Sequence, residues 1–273
     1  MELSVITINY NNADGLRKTI ESVAAQTFKE FEHIIVDGNS HDEGVRLIQE
    51  YDYVQRSSNR PHPIIRWTSE IDKGIFNAMN KGVRMAQGEY VLMLNSGDTL
   101  VDEHVLERII PELDGTDIVQ GNTIEEHEGK KIQNKGYGCS EITMSDIMKG
   151  KFLHQASFCR RDLFERYGYF DDSYAIVADK KFFINCLGFH DASFKYLDID
   201  VANFDVNGIS SATEGPWHEK HEQENERMIK ELSSQRLMTY MTEMEEKLRM
   251  LENLQKHKMI WNIIRFFIRK DIE

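Results

Sequence analysis

The chain has 273 residues, 40% of them hydrophobic, enough to bury the core of one large α/β domain with an appendage. A formal net charge of -13 leaves no general basic footprint, which argues against nucleic-acid binding. It also means that an anionic substrate needs a divalent cation or a local basic cluster to offset repulsion.

In chain order, residues 3–8 read as a strand, 13–26 as a helix, 31–36 as a second strand and 42–50 as another helix, the β-α-β-α alternation of a parallel sheet. Residues 53–63 are polar and hold two of the four prolines, so a loop is expected before a third strand at 64–69. The run from Glu70 to Asp98 is the most informative. Ile75, Met79, Val83 and Ala86 recur at helical spacing, and Gly88 ends that helix. Residues 90–94 are nearly all apolar, as in a strand covered on both faces, and Asp98 follows where open α/β sheets hold ligands.

Residues 102–113 read as a further helix, and 117–121 as a strand able to hairpin with 130–137. From Phe152 the text predicts a strand, a short helix, a Gly-bounded turn and a helix starting near Ala178; a mixed strand at 194–204 and a turn at 207–211 follow. Residues 218–257 lack Gly and Pro and predict a long helix. Residues 258–270 mix Trp, Phe and Ile with Lys and Arg, which suits a helix at a membrane surface, one folded back on the catalytic domain, or one pairing with a second chain. Cys139, Cys159 and Cys186 are odd in number and lack C-x-x-C spacing, which disfavours a disulfide framework and a structural zinc site. With no leader-like start and no apolar run long enough to span a bilayer, a cytoplasmic setting is expected.

Three segments occur in order: Asp72, Gly74, Ala78, Asn80 and Gly82 as D-x-G-x-x-x-A-x-N-x-G; Leu94-Asn95-Ser96-Gly97-Asp98; and Gly168-Tyr169-Phe170-Asp171-Asp172 followed by Ala178-Asp179. Over residues 1 to about 210 the chain resembles family 2 glycosyltransferases of the GT-A type, particularly bacterial branches that build surface polysaccharides. The resemblance implies a mostly parallel central sheet with flanking helices. It places a nucleotide-sugar half at about 1–121, an acceptor half at about 122–215 and a helical extension at 216–273.

It further implies an inverting, metal-assisted transfer from a nucleotide-diphosphate sugar, most simply a UDP-sugar, to a glycan or lipid-linked acceptor at the inner membrane face. On this reading Asn9, Tyr10 and Asp37 hold the nucleoside. Glu70, Asp72 and Lys73 face the ribose, donor sugar or phosphate, and Asp98 holds a Mn2+ or Mg2+ ion. Asp179 is the catalytic base, with Ser96, His154 and Arg160 toward the acceptor or diphosphate. Asn95 and Gly97 stand where relatives carry the acids of a D-x-D motif. Asp72 and Asp179 also suit helix N-caps. Two rivals are a nucleotidyltransferase, whose Gly-rich loop residues 9–15 lack, and a non-catalytic scaffold using its helical tail for contacts.

Overall fold

The structure is a computed structural model that describes residues 1–58, 61–127, 129–149, 151–206, 208 and 214–234. Contacts divide the chain into two units, Met1–Glu224 and Asn225–Glu273. The first unit holds β1 (Leu3–Asn9), α1 (Ala13–Ala24), β2 (Glu32–Asp37), α2 (Gly44–Ser57), β3 (Ile64–Ser69), α3 (Ile75–Met85), β4 (Tyr90–Met93), β5 (Thr99–Leu100) and α4 (Val105–Ile109). It continues with β6 (Ile118–His127), β7 (Lys130–Asn134), α5 (Met144–Lys149), β8 (Ser157–Arg160), α6 (Asp162–Tyr167), α7 (Ala178–Phe189) and β9 (Phe194–Phe204). A helix opens at residue 215. In the second unit residues 225–234 are helical. The expected helical positions beyond 234, the basic-apolar tail and residues 207 and 209–211 of the expected turn lie outside the described residues.

The strands form one sheet in the order β3-β2-β1-β4-β8-β6-β9-β5, with β7 paired to β6. Six of the nine, β1 to β4 with β6 and β9, run in the same sense. β1, β2 and β4 are buried along their whole length, as apolar runs covered on both faces should be. α3 lies unusually close to the sheet, because a Cβ at Gly82 would fall 2.3 Å from Ile6 Cγ2.

Several elements differ from expectation for local reasons. α2 runs seven residues past Glu50, because no Gly or Pro interrupts residues 51–57, Tyr51 is buried and Arg56 pairs with Asp52 one turn earlier. The helix expected at 102–113 is α-helical only over Val105–Ile109 and continues as a 3-10 turn, since Pro111 lacks an N–H and crowds the preceding turn. α5 was not expected, yet it carries a capping box: Thr143 Oγ1 accepts from the Asp146 amide while Asp146 Oδ2 accepts from Thr143. β6 extends to His127 and contains a register shift around Gly121, where a Cβ would meet Val201 Cγ2 at 2.6 Å.

Gly82→Ala is expected to destabilise the fold by about 1–3 kcal/mol, because Ile6 is buried and stiff at Cβ. Urea unfolding midpoints measure this; an unchanged midpoint would show that the helix can retreat from the sheet.

Candidate active site

Parallel strands deliver their carboxyl ends to one edge of the sheet, and there β1, β2 and β3 stop at Asn9, Asp37 and Ser69. Asp37 is fully buried and binds all three strand ends together. Its Oδ1 accepts from Asn9 Nδ2 (2.9 Å) and Ser40 Oγ (2.6 Å), and its Oδ2 from the Ser40 amide (2.9 Å) and Ser69 Oγ (2.7 Å). Burial alone would raise this carboxyl's pKa, but the donors from Ser40, Ser69 and Asn9 hold it below the usual carboxylate range. Asp37 is therefore engaged with the scaffold, and its neighbour Asn9 is left with a buried Oδ1 that has no partner among the described residues.

A cavity of about 440 Å³ opens above these ends, lined by Asn9, Tyr10, Asn12, Asp72, Ser96, Asp98 and His154, with Ala78 and Gly74 from the start of α3. Gly74 has φ +120°, a conformation that favours glycine, and its amide donates to Asp72 Oδ1 at 2.9 Å. Gly74, not Asp72, occupies the N-cap of α3. Asn80 grips the Phe170 backbone at both ends of its amide, donating to the carbonyl at 2.8 Å and accepting from the N–H at 3.0 Å. Asn12, which the motif reading passed over, caps α1 by accepting from the Gly15 amide and donates to the Ser96 carbonyl at 3.1 Å.

The Asn95-Ser96-Gly97-Asp98 turn is fixed from below by Thr19, whose hydroxyl donates to the Asp98 carbonyl at 2.7 Å and accepts from the Gly97 amide at 3.0 Å. Gly97 has φ +110°, and a Cβ there would fall 2.7 Å from Asp205 Oδ2, so this backbone does not suit an acidic residue at that position. Asp98 is 4% exposed, and its Oδ1 accepts from the Asp205 amide at 3.0 Å. Burial, the largest influence, pushes its pKa up to about 6.

β8 runs antiparallel to β4, so the 3-10 turn His154–Ala156 that leads into it stands at the ligand end of the sheet. His154 Nδ1 lies 3.0 Å from Asp179 Oδ2, and its Nε2 lies 3.3 Å from Asn95 Nδ2. Burial works against its protonation, but the hydrogen bond and charge of Asp179, with the charge of Asp98, raise its pKa above the ordinary value. Asp179 sits in the first turn of α7 and lines a second cavity of about 240 Å³. His154, Asn95, Gln155, Ile75 and Phe204 form the wall shared by the two cavities.

The backbone just before α7 is held from far away in sequence. Glu224 accepts from the successive amides of Ala175 (2.8 Å), Ile176 (2.9 Å) and Val177 (3.4 Å). Such a row of N–H groups is a natural anion cradle.

The structure does not bring every expected residue together. Glu70 is exposed and pairs with Lys81 at 2.9 Å, and Lys73 is exposed; neither lines a cavity described above. Arg160 pairs in register with Tyr90, at the opposite end of β4, and its guanidinium meets Asp162. The same antiparallel direction that carries His154 to the ligand end carries Arg160 away from it.

The sequence model described as Glycosyl transferase family 2 matches residues 4–168. The chain belongs to this family. It is 30% identical over 213 residues to a PGL/p-HBAD biosynthesis glycosyltransferase of Mycobacterium bovis BCG, covering 77% of this chain and 79% of that one. It is also 30% identical over 155 residues to the GalNAc(5)-diNAcBac-PP-undecaprenol beta-1,3-glucosyltransferase of Campylobacter jejuni, covering 55% of this chain and 48% of the relative. Among solved structures, S. aureus TarS 1-349 in complex with UDP-GlcNAc superposes with a TM-score of 0.61 at 21% identity, over 79% of this chain and 60% of that chain. The chain thus spans less than two thirds of the TarS length. The fold is that of the family's GT-A members, as the motifs imply.

The divalent cation implied by the motifs does not fit the donor set found here. Among the described residues no group of three or more His, Cys, Asp or Glu could hold a metal ion. Asp98 has one oxygen on a backbone amide, and Asn95 and Gly97 supply no carboxylate. Titration of Mn2+ into the nucleotide-free protein, followed by calorimetry, is expected to show no saturable binding; a stoichiometric site would overturn this reading of the donor set.

The raised pKa of Asp98 has a signed consequence. Between the ordinary 3.8 and about 6 the folded protein holds a proton that the unfolded chain releases, so this group's contribution to stability falls as pH rises through that window. Asp98→Asn keeps an acceptor for the Asp205 amide and carries no charge. It is expected to melt a few degrees above the parent when the pH exceeds about 6 and to lose that advantage in more acid solution. A difference in Tm that is flat across pH would remove the charge as its cause.

Proposed function

We infer that the chain transfers a sugar from a nucleoside diphosphate sugar, a UDP-sugar on the simplest reading, to a glycan hydroxyl by a single displacement with inversion. The observation that carries this reading is the shared wall. His154 borders both cavities, Asp179 lines one of them, and Asn9, Tyr10 and Asp72 line the other. An acceptor in the smaller cavity would meet a donor in the larger one at His154 and Asn95.

In the displacement the acceptor oxygen bonds to the anomeric carbon as the bond from that carbon to the diphosphate oxygen breaks. The acceptor proton passes to Asp179, and the diphosphate leaves with the bonding pair. Asn9 offers Oδ1 to an N–H of the base, oriented by the bond from its Nδ2 to Asp37. Asp72, over Gly38 and beside Tyr10, is positioned for ribose hydroxyls. His154 fixes Asp179 through Nδ1, so the base is held in place before substrate arrives. Asp37 acts through Asn9, and Glu70, Lys73 and Arg160 take no part.

The names of the relatives support a setting in glycan assembly, with an acceptor linked to a lipid diphosphate as in the Campylobacter jejuni glucosyltransferase. Among the described residues no helix is long and apolar enough to cross a membrane.

Transfer is measured with a panel of nucleotide sugars and lipid-linked glycans. Asp179→Asn is expected to lower kcat by roughly 10²–10⁴-fold with little change in donor KM. A variant that retains activity would exclude Asp179 as base, and a product of retained anomeric configuration, read by NMR, would exclude the single displacement.

A further inference from the structure

Asp179 depends on where α7 begins, and the helix does not fix that start by itself. Val177 occupies the N-cap of α7 and makes no capping hydrogen bond through its side chain. The turn is held instead by Glu224, which is 8% exposed. Its Oε1 accepts from the Ala175 amide, and its Oε2 accepts from those of Ile176 and Val177. An ionised acceptor makes such bonds roughly twice as strong as a neutral one.

The body of α7 is anchored separately. Phe183 stacks on Phe152 with ring centroids 4.5 Å apart, and Phe182 stacks on Phe164 at 4.4 Å. The loop that leads into the helix is pinned at its far end by Asn80, on the Phe170 backbone. Between these anchors lies the stretch that Glu224 holds, and there Ala175 and Ile176 line the smaller cavity beside Asp179. Asp179 itself is set by two donors: the Lys180 amide lies 2.8 Å from Oδ1, and His154 Nδ1 lies 3.0 Å from Oδ2. The first belongs to α7 and the second to the turn before β8. A shift in the first turn of α7 therefore acts directly on the contact between Asp179 and His154.

We propose that Glu224 is a positioning residue for the transfer: from outside the sheet and the matched family segment, it fixes the first turn of α7 so that Asp179 is held against His154. The proposal rests on the transferase reading and adds to it a residue that lines neither cavity. A carboxylate suits the task because its two oxygens serve three amides at once. A side-chain amide in its place has one acceptor oxygen, which can keep the bonds from Ile176 and Val177 but turns an N–H toward that of Ala175. The donor side is indifferent to this contact, since Asn9, Tyr10 and Asp72 line the other cavity and belong to other elements.

The test compares the full chain with Glu224→Gln and Glu224→Ala by transfer kinetics, UDP binding and the pH titration of the His154 ring in NMR, its signal assigned by its absence from His154→Gln. The expected order of kcat is parent, Glu224→Gln, Glu224→Ala, the last lower by roughly 10- to 100-fold, with donor KM and UDP binding unchanged. Against burial, Asp179 and Asp98 hold the His154 midpoint above its ordinary value; it is expected to move down in the same order as the Asp179 bond loosens. Parental kcat and a parental His154 midpoint in both variants overturn the proposal, and so does a fall in kcat without movement of the midpoint. Loss of UDP binding in both variants also overturns it, because Glu224 then supports the whole fold and not the base. If Glu224→Ala alone loses UDP, Glu224→Gln decides by the same readouts. If the parent transfers no sugar and the His154 midpoint still falls in the variants, the transferase reading is struck and the link from Glu224 to Asp179 stands.

Discussion

The site depends on the direction of one short strand. β8 enters the sheet between β4 and β6, antiparallel to both, so its first residues face the carboxyl end of β4. A parallel strand in that place would carry its leading turn to the far edge. Because β8 runs backwards, His154 reaches Asn95 on one side and Asp179 on the other, and two cavities come to share a wall. One cavity above the ends of β1 to β3 and a second beside β6 and β7 thereby meet at a single imidazole.

Two buried aspartates show how the same side chain serves opposite ends. Asp37 receives hydrogen bonds from Asn9, Ser40 and Ser69 and stays acidic, holding three strand ends in register. Asp98 is almost as deeply buried, with backbone amide donors from Asn95 and Asp205 too few to offset the loss of water, and its pKa rises. The first is a scaffold charge whose effect reaches the cavity through Asn9. The second pays for its charge with lost solvation, and its anchored Oδ1 leaves it one oxygen fewer to offer outward.

Much of the fold was legible because its signals are local. In the segment from Asp72 to Gly82 each motif residue has a physical cause, local for Asp72, which receives the Gly74 amide, and for Gly74, which takes a positive φ, but distant in sequence for Asn80, which clamps Phe170, and Gly82, which admits Ile6. The motifs single out His154 and Asp179 one by one, but their contact depends on the strand direction that only the pairing of β8 reveals. Arg160 shows the converse: six residues after His154, it travels the length of the strand to the wrong edge. Glu70 was attractive as an acid beside Asp72, but Lys81 lies within reach on the solvent side. Thr19, Asn12 and Glu224 act across tens of residues, and no spacing rule announces such partners.

Glu224 alters where the catalytic unit ends. The sheet is finished at Phe204 and the family match at residue 168, yet the backbone that launches α7 is tied to a carboxylate in the helix that opens at 215. A fragment cut at the last strand would keep every strand and every cavity residue up to Phe204 while releasing three amides just before Asp179. The stretch that looks like an appendage therefore begins as part of the catalytic scaffold, and a transplant of this site onto another sheet would have to bring that helix along.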